Sequence, residues 1–333
     1  MNYLETLQRL NACHGPSGDE RDVAALLKEL GAPYVDDCRF DVMGNLILHK
    51  KGSGPRVMFA AHMDSLGLIV THIEENGFLR FGKIGGIQPT SLLHTPVRFK
   101  NGVYGAVSLS EKVEKKDASL TDFYLDIGAK SREEAKEKVQ IGDTAVVCTP
   151  AFSLGERMAS PYMDNRISCL VLLDALSQLG DHENDLYFVF TVQEELGMRG
   201  AKTAAFAIDP DYGIAVDVTL GDELDSTHRG SSVLGGGAAI KVMDQSVICH
   251  PQVVEDLETL ARKEGIPHQR DVITGGGTDA GAIHVTRMGV LTGGICIPCR
   301  YIHSPVETVD LKDVEACAAL VKAFAEATLP RLG

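Results

Sequence analysis

The sequence lacks any apolar run close to the roughly 20 residues that a helix needs to cross a bilayer. Basic residues are also in the minority, with 32 Lys and Arg against 46 Asp and Glu, and the formal net charge is −14. Nonspecific nucleic-acid binding needs cations that neutralise phosphates, so we expect neither a membrane span nor a nucleic-acid partner. The hydrophobic content of 44% and a mean hydropathy near zero are typical of a soluble globular chain.

The start of the chain also lacks the basic stretch and apolar run of a secretory signal. Residues 1–12, MNYLETLQRLNA, instead predict an amphipathic helix, and we expect a cytoplasmic protein. The chain has 8 cysteines, an even number that permits disulfides. In a chain of this size without a signal we expect reduced, packed thiols. Cys296 and Cys299 have CxxC spacing, which on its own is weak evidence for zinc or redox chemistry.

The character of the sequence changes twice along its 333 residues. From about Leu68 to Pro150, short β-like segments are separated by Gly and Asn-Gly turns, with one charged helical piece at 131–138. Predicted helices and strands alternate on either side, which is typical of an α/β fold with a mostly parallel sheet. We therefore predict a three-layer α/β domain formed by residues 1–67 and 156–333, with a compact β-barrel domain inserted at 68–155. The predicted strands of the α/β part are 45–49, 57–61, 186–192, 213–218, 268–273 and 290–297, and its predicted helices are 19–30, 166–179, 199–206, 251–264, 279–287 and 311–328.

Polar side chains recur where predicted strands of the α/β part end. His62 and Asp64 follow one strand in the segment AAHMDSLG, and two adjacent glutamates follow another in VQEELG. In open α/β sheets, ligand sites gather outside the carboxyl ends of the strands, so residues far apart in the chain can converge there. The candidate residues are His62, Asp64, Asp164, Glu194, Glu195, Asp217 and His303.

This set of side chains points to metal chemistry, because no nucleophilic serine or cysteine stands out beside it. A mixture of imidazole and carboxylate suits zinc, cobalt or manganese better than calcium, which prefers oxygen ligands alone. One catalytic zinc needs only three protein ligands, whereas this larger set fits a pair of metals about 3.5–4 Å apart that share a carboxylate. The sequence therefore predicts a dinuclear metal site.

Each candidate also has an ordinary explanation. A single histidine such as His62 is more often a surface or satisfied core residue, Asp164 alone is most simply a helix cap, and Asp217 could support a turn. Glu194 and Glu195 could form a solvated corner. These explanations would have to coincide at several strand ends of one sheet, so the residues taken together favour the metal site.

Two glycine-rich stretches, LGGGAA at 234–239 and TGGGTDAG at 274–281, invite comparison with nucleotide-binding loops. Neither carries the Lys-Ser/Thr pair of a P-loop, nor a GxGxxG at a strand-to-helix turn with a later acidic residue. Tight turns that let the backbone approach an active site explain them better.

Several segments of the chain carry motifs that occur together in one family of enzymes. They are AAHMDSLG, MDNR, VQEELGMRGA, AVDV, LGGGAAIKVMD, GGGTDAGAI and IPCRYIHSPVE. In this order, and over nearly the whole chain, they resemble the glutamyl and tetrahedral (TET) aminopeptidases, which are dinuclear metallopeptidases. The resemblance implies an α/β catalytic domain with an inserted β-barrel or PDZ-like domain that mediates oligomerisation. It also implies a homo-oligomer, often a hollow tetrahedral dodecamer, and places residues 275–279 near the substrate cleft without a catalytic role.

The resemblance also implies which residues bind two divalent metal ions per subunit, with zinc expected first and cobalt or manganese as alternatives. His62 and His303 would be terminal ligands, one to each metal. Asp164 would bridge both metals, and Glu195 and Asp217 would each bind one. The choice of metal does not follow from the ligands alone, because availability decides it as well.

Two further residues have catalytic roles in this resemblance. Asp64 would orient His62 from behind and raise the basicity of its imidazole, and Glu194 would be the general base. The metals would lower the pKa of a bridging water, which would attack the scissile carbonyl of a short peptide after Glu194 takes its proton. A metal and nearby carboxylates would hold the free α-amino group, which restricts cleavage to the N-terminal residue.

The chain departs from the usual pattern of this family at a few positions. The bridging segment, commonly Asp-Asp-Arg followed by Gly, reads Asp164-Asn165-Arg166 with Ser168 here. Asn165 is not an expected ligand, so the site survives, although one negative charge is lost beside it. Ser65 stands where relatives often have an acid, which bears on substrate access.

Other functions stay open on the sequence alone. The same site could serve an N-acyl-peptide deacylase, because water activation does not dictate the acyl group. A non-catalytic metal-binding oligomer would fit a vestigial site, although every expected position is filled. Paired carboxylates alone would suit a glycosidase, but the histidines would then have no role. The sequence does not fix the preferred N-terminal residue.

Overall fold

The computed structural model describes residues 1–222 and 231–331. Its α-helices are α1 (Tyr3–Ala12), α2 (Arg21–Gly31), α3 (Arg132–Lys138), α4 (Met163–Ser177), α5 (Arg199–Ile208), α6 (Pro251–Lys263), α7 (Ala280–Ile283) and α8 (Leu311–Glu326). Its strands are β1 (Asp37–Phe40), β2 (Leu46–Lys50), β3 (Arg56–His62), β4 (Gly67–Ile73), β5 (Leu79–Ile84), β6 (Pro96–Phe99), β7 (Tyr104–Leu109), β8 (Phe123–Asp126), β9 (Thr144–Val147), β10 (Phe152–Leu154), β11 (Arg157–Ser160), β12 (Asp185–Thr191), β13 (Tyr212–Leu220), β14 (Ala238–Met243), β15 (His268–Val272), β16 (Leu291–Arg300) and β17 (Glu307–Asp310). None of the helices in these ranges has both the length and the apolar character that a membrane span requires.

The centre of the larger sheet is parallel. Strands β12, β3, β13 and β16 lie side by side and run in the same direction. Antiparallel strands extend both edges, which gives the order β1-β2-β12-β3-β13-β16-β17-β11-β10, with β14 and β15 attached beside β16. The predicted α/β fold with a mostly parallel central sheet is therefore confirmed.

Helices cover both faces of this sheet, because its central strands are apolar on both sides. In β3, Val57 and Phe59 belong to the core that contains α4 and α8, and the ring of Phe59 meets that of Phe324 edge-on at 6.3 Å. Met58 and Ala60 point the other way, into the core formed with α5 and α7. The alternation of side chains along one strand thus produces the three layers.

The inserted segment forms a closed antiparallel barrel in the order β4-β5-β8-β7-β6-β9. Leu79, Val97, Phe99 and Phe123 fill its interior and are almost completely buried. The Asn-Gly turn between β6 and β7 places Gly102 at a φ of 89°, a conformation that glycine adopts without strain. The β-rich character of this stretch therefore gives the expected barrel.

Two groups of predicted elements differ from the observed ones. The helix predicted at 279–287 is only α7, which ends at Ile283, and the turns that follow include positive φ angles of 52° at Arg287 and 100° at Gly289. The short strands β1, β10, β11, β14 and β17 were not predicted. They extend the sheet at its edges or join its antiparallel side, and β10 is exposed along its whole length. Such strands carry little hydrophobic pattern for a sequence argument to detect.

Candidate metal centre

The carboxyl ends of the central strands bring several candidate residues together. His62 is the last residue of β3, and Thr191, the last residue of β12, lies opposite it in register. Beyond Thr191 the backbone turns through Gln193, which has a φ of 54°. This turn carries Glu194 and Glu195 over the strand ends, so that Glu194 Oε2 lies 3.9 Å from Nε2 of His62.

Asp217 reaches the same place from a different position than the sequence suggested. It lies inside β13, which continues to Leu220, whereas the sequence placed it at the end of a strand at 213–218. Since Ala215 lies opposite Ala60 of β3, Asp217 is level with His62. Its Oδ1 is 3.8 Å from Nε2 of His62.

Asp164 lies between the two candidate histidines. Its Oδ1 is 3.0 Å from Nε2 of His62, and its Oδ2 is 3.3 Å from Nε2 of His303. It is not the helix cap of α4, since that position belongs to Tyr162, and its own backbone is non-helical. The two oxygens of one carboxylate therefore face two different imidazoles, which is the arrangement a bridging ligand would need.

The other candidate ligands divide between these two histidines. We call His62, Asp217 and Oδ1 of Asp164 the inner half-site, and His303, Glu195 and Oδ2 of Asp164 the outer half-site. In the outer half-site, Oε1 of Glu195 is 3.5 Å from Nε2 of His303. The inner half-site is closed and the outer one more open, since the side chain of His62 is 2% exposed and that of His303 is 31% exposed.

Burial dominates the acid–base properties of the inner half-site. Burial raises the pKa of Asp217 well above its usual value, against the opposing charge of His62, and the charge of Asp164 raises it further. Burial likewise raises the pKa of Glu194 well above its usual value. For His62 burial lowers the pKa, but the hydrogen bonds to Asp164 and Asp64 outweigh it and leave the pKa well above normal. The pocket concentrates acids that a cation would stabilise.

The outer half-site is perturbed in the same way. Burial and the nearby charge of Asp164 raise the pKa of Glu195 to about 7. Burial lowers the pKa of His303, but its hydrogen bond to Asp164 prevails and raises it to about 10. Oε1 of Glu195 is buried and has no hydrogen-bond partner among the residues that the structure describes. A buried carboxylate oxygen without a donor is one that a metal ion would satisfy.

The donor atoms fit a divalent cation in chemistry as well as in position. His62, Asp164 and Glu195 each offer a ligand atom, and these atoms lie within 4.8 Å of one another. Imidazole nitrogen combined with carboxylate oxygen suits zinc, cobalt or manganese. These residues could therefore hold a metal ion, while the separate ligand role of each candidate stays a prediction.

His62 is held from behind by a residue that also anchors the glutamate turn. Its Nδ1 lies 3.2 Å from the carbonyl oxygen of Asp64 and 3.4 Å from its carboxylate. The fully buried carboxylate of Asp64 accepts the backbone N–H of Glu194 at 3.0 Å and of Glu195 at 3.3 Å, and the hydroxyl of Ser17 at 2.6 Å. One carboxylate thus fixes an imidazole and two neighbouring glutamates in a common frame.

His303 is held from behind by the inserted barrel. Its Nδ1 lies 3.3 Å from the carbonyl oxygen of Gly86, which follows β5. A Cβ at Gly86 would come within 2.8 Å of the His303 ring, and one at Gly85 would lie 3.1 Å from Oε2 of Glu195. Sequence reasoning missed this contact, and the glycine pair in KIGGIQ was its only signal.

Two buried glutamates beside the site were also missed. Glu307 accepts the backbone N–H of Asp164 and of His303, and burial raises its pKa well above the usual value. Glu20 accepts the N–H of Gln193 at 3.2 Å, and burial raises its pKa to about 7. Glu307 ends the IHSPVE motif, so its signal was present in the sequence, whereas nothing marked Glu20.

Asp279, from the TGGGTDAG stretch, is a further buried acid at this edge of the sheet. It accepts the hydroxyl of Thr191 at 2.5 Å, and burial raises its pKa to about 6. Its Oδ1 has no hydrogen-bond partner within the described ranges. Its charge adds to the raised pKa values of Glu194 and Asp217, so the stretch contributes to the electrostatics of the site.

Known proteins resemble this chain over most of its length. The model of the M42 glutamyl aminopeptidase family matches residues 44–320. A lysyl aminopeptidase from Pyrococcus furiosus is 38% identical over 340 residues, which cover 98% of this chain and 97% of the relative. The structure of an aminopeptidase from the archaeon Desulfurococcus kamchatkensis has a TM-score of 0.94 at 42% identity. The match covers 98% of this chain and 95% of the archaeal chain. The TET1 peptidase of Pyrococcus horikoshii, which can assemble into a tetrahedron or a large octahedral shell, has a TM-score of 0.88 at 33% identity over 97% of this chain and 99% of its own.

Proposed function

The chain belongs to the M42 glutamyl aminopeptidase family, and we propose that it removes N-terminal residues from short peptides with two divalent metal ions. The resemblance read from the sequence is confirmed by the family match. Aminopeptidase activity follows from the family and from relatives such as the lysyl aminopeptidase of Pyrococcus furiosus. The number of metals, the roles of individual residues and the nature of the nucleophile are the parts that we propose.

One observation carries the proposal of two metals. The oxygens of Asp164 are directed at different histidines, at 3.0 Å and 3.3 Å. The inner metal would be held by the inner half-site and the outer metal by the outer half-site, with Asp164 common to both. When bound, two such cations would supply a Lewis acid for the scissile carbonyl and a lowered pKa for a shared water. We expect zinc first, with cobalt or manganese as alternatives.

Glu194 is the residue that we propose as the general base. Its backbone N–H is fixed by Asp64 at 3.0 Å, and its Oε2 lies 3.9 Å from Nε2 of His62 in the inner half-site, where we assign it proton transfer and not a metal. Burial raises the pKa of Glu194 well above its usual value, which suits a group that takes a proton and gives it back near neutral pH. The attacking water loses its proton to Glu194, and Glu194 returns that proton to the nitrogen of the leaving amine.

The surplus of buried acids supports a substrate with a free α-amino group. Asp279, which we assign neither to a metal nor to proton transfer, is buried beside the proposed ligands and Glu194, and its Oδ1 has no hydrogen-bond partner within the described ranges. A positively charged ammonium gains from such a field, whereas the neutral amide of an N-acylated peptide does not. We therefore place the deacylase alternative second.

We further propose that the protein works as a homo-oligomer in the cytoplasm. The related TET1 peptidase of Pyrococcus horikoshii can form a tetrahedron or an octahedral shell, and a tetrahedral dodecamer is our expectation for this chain. All of its cysteines, which lie within the described ranges, are free thiols, and this suits a reducing compartment.

The test uses metal-stripped protein reloaded separately with zinc, cobalt or manganese. Each form is assayed on a panel of aminoacyl chromogenic substrates and on matched peptides with free or acetylated N-termini. We expect two ions per chain, release of N-terminal residues only after reloading, and no cleavage of the acetylated peptides. The variant Asp164→Asn serves as the control, because it weakens both half-sites at once.

Three results would contradict the proposal. Full activity in the metal-stripped protein would show that the reaction does not need the metals. Saturation at one ion per chain would show that the site does not bind a pair of metals. Equal cleavage of free and acetylated peptides would favour the deacylase.

A further inference from the structure

Glu307 is a buried carboxylate with an uncommon pair of hydrogen bonds. It begins β17 and is 2% exposed. One oxygen accepts the backbone N–H of His303 at 2.7 Å, and the other accepts that of Asp164 at 2.9 Å. A single side chain therefore links the backbone of the residue shared by both half-sites to that of the outer histidine.

The surroundings of Glu307 offer little else to a charged group. A small, mainly apolar cavity of about 20 Å³ lies beside it, lined in part by Leu66, Leu92 and Tyr162. Within the described ranges no lysine or arginine forms an ion pair with its carboxylate. A buried carboxylate in such a place needs its hydrogen bonds in order to be tolerated.

The two residues that Glu307 contacts need an external partner for their backbones. His303 has a φ of 66°, a left-handed conformation that is strained for a residue other than glycine. Asp164 stands at the start of α4 with φ −75° and ψ 100°, outside the helical range. Neither amide is satisfied by the regular hydrogen bonds of a helix or a sheet, so their alignment depends on the acceptor that they share.

We propose that Glu307 is a positioning residue that sets the separation of Asp164 and His303 and thereby the affinity of the outer half-site for its metal. The inference rests on the proposed function, because it takes these two residues as ligands. Both oxygens of Glu307 are occupied by amides, so it acts through Asp164 and His303 and not on the peptide.

The test compares Glu307→Gln with a matched control elsewhere in the fold. Glutamine keeps the size of the side chain but has one oxygen, so its amide N–H₂ must face one of the two backbone N–H groups. Asp313 is a suitable control, since it is fully buried and accepts the N–H of Gly235 and of Gly237, both at 2.7 Å. Asp313→Asn therefore makes the same chemical change away from the half-sites.

Metal affinity, measured by competition with a chelator, is the main readout. We expect Glu307→Gln to weaken one of the two binding steps by about 10–100-fold, as is usual for partners of metal ligands. It should be the same step that His303→Ala removes. The activity of Glu307→Gln should return toward that of the unaltered protein at saturating metal, whereas Asp313→Asn should bind both metals as before.

Several outcomes separate this inference from the proposed function. Two metals bound with unchanged affinities by folded Glu307→Gln would overturn the inference alone. Fewer than two metals in the unaltered protein would overturn the proposed function, and the inference with it. If Glu307→Gln does not fold, Glu307→Asp is used, because it keeps the charge but is too short to reach both amides. Failure of both variants to fold even in excess metal would assign Glu307 to fold stability and overturn the positioning role.

Discussion

The two half-sites share Asp164 but are built in different ways. His62 ends a central strand of the parallel sheet, is 2% exposed and is backed by the buried Asp64. His303 lies in a turn with a φ of 66°, is 31% exposed and is backed by a carbonyl of the inserted barrel. The inner half-site thus takes two of its three residues, His62 and Asp217, from central strands of one sheet, whereas the outer one is assembled from several separate segments.

This difference implies different behaviour toward metal. His62 and Asp217 of the inner half-site are part of the central sheet, and only Asp164 comes from outside it. The atoms of the outer half-site depend on the turn at His303, on Glu307 and on the placement of Gly86. We therefore expect the outer metal to exchange first when a chelator is added, and the inner metal to remain.

The largest expected effect concerns the two adjacent glutamates, because Glu194 reaches the inner half-site and Glu195 belongs to the outer one. Glu194→Gln should lower kcat by about 10²–10⁴-fold, the usual contribution of a general base, while both metals stay bound. Glu195→Gln should instead lose the outer metal first, because it removes a residue that we propose as a ligand. Activity and metal content measured on both variants distinguish these roles. Activity that survives Glu194→Gln would show that the assignment of the base is wrong.

The contact between the barrel and His303 gives the next effect. Gly86→Ala should displace the ring of His303, because the new Cβ would lie within 2.8 Å of it. We expect a loss of about 10–100-fold in affinity at the outer half-site, and none at the inner one, by metal titration. Gly82→Ala is the control, since its Cβ would meet only methyl groups of Ile69 and Thr71 at 3.2 Å and 3.5 Å. Equal losses in both variants would mean that the barrel is merely destabilised.

The pH dependence of the metal-free protein provides a smaller effect. The pKa of Glu195 is raised from 4.5 to about 7, and that of His303 from 6.5 to about 10. Stability contributed by a group with a raised pKa is complete below its unfolded value and is lost as pH rises through its folded value. Thermal unfolding in chelator should therefore show falling stability from about pH 5 to pH 10, and bound metal should reduce this slope. A metal-free protein that becomes more stable as the pH rises over this range would contradict the raised pKa values of Glu195 and His303.

The smallest effect is expected behind the inner half-site. Ser17→Ala removes the hydroxyl that donates to Asp64 at 2.6 Å, but leaves the two backbone donors of that carboxylate in place. We expect a loss of about 1–3 kcal/mol in the free energy of unfolding, as for other hydrogen bonds to charged groups. Inner metal affinity should change less than outer affinity does in Gly86→Ala. Ser177→Ala, which removes only a hydroxyl bonded to the carbonyl of Asp174, is the control in chemical denaturation.

The sequence was most informative where hydrophobic pattern and strand direction act together. The central strands, most of the helices that cover them and the inserted barrel could be predicted from their apolar patterns. The same logic placed His62 and the two glutamates at one edge of the sheet. Asp217 was placed at the end of a strand at 213–218, since the sequence does not show that β13 continues to Leu220.

The parts that could not be predicted depend on backbone groups and on distant partners. The carbonyl of Gly86 carries no side-chain signature, and its role follows only from how the barrel sits against the turn at His303. Glu307 stood in a quoted motif, but its importance lies in two backbone amides from separate parts of the chain. Contacts of this kind arise from the folded arrangement and not from residue type.

The glycine pair at 85 and 86 has a consequence for anyone who wishes to recombine these enzymes. A barrel taken from a relative would have to place a loop without side chains, and a carbonyl oxygen, at the same distance from the imidazole of His303. A barrel that served only oligomerisation could be exchanged without regard to this loop. This barrel also positions His303, which we propose as a metal ligand. The segment exchanged in a chimera must therefore include the loop at 85 and 86 as well as the strands.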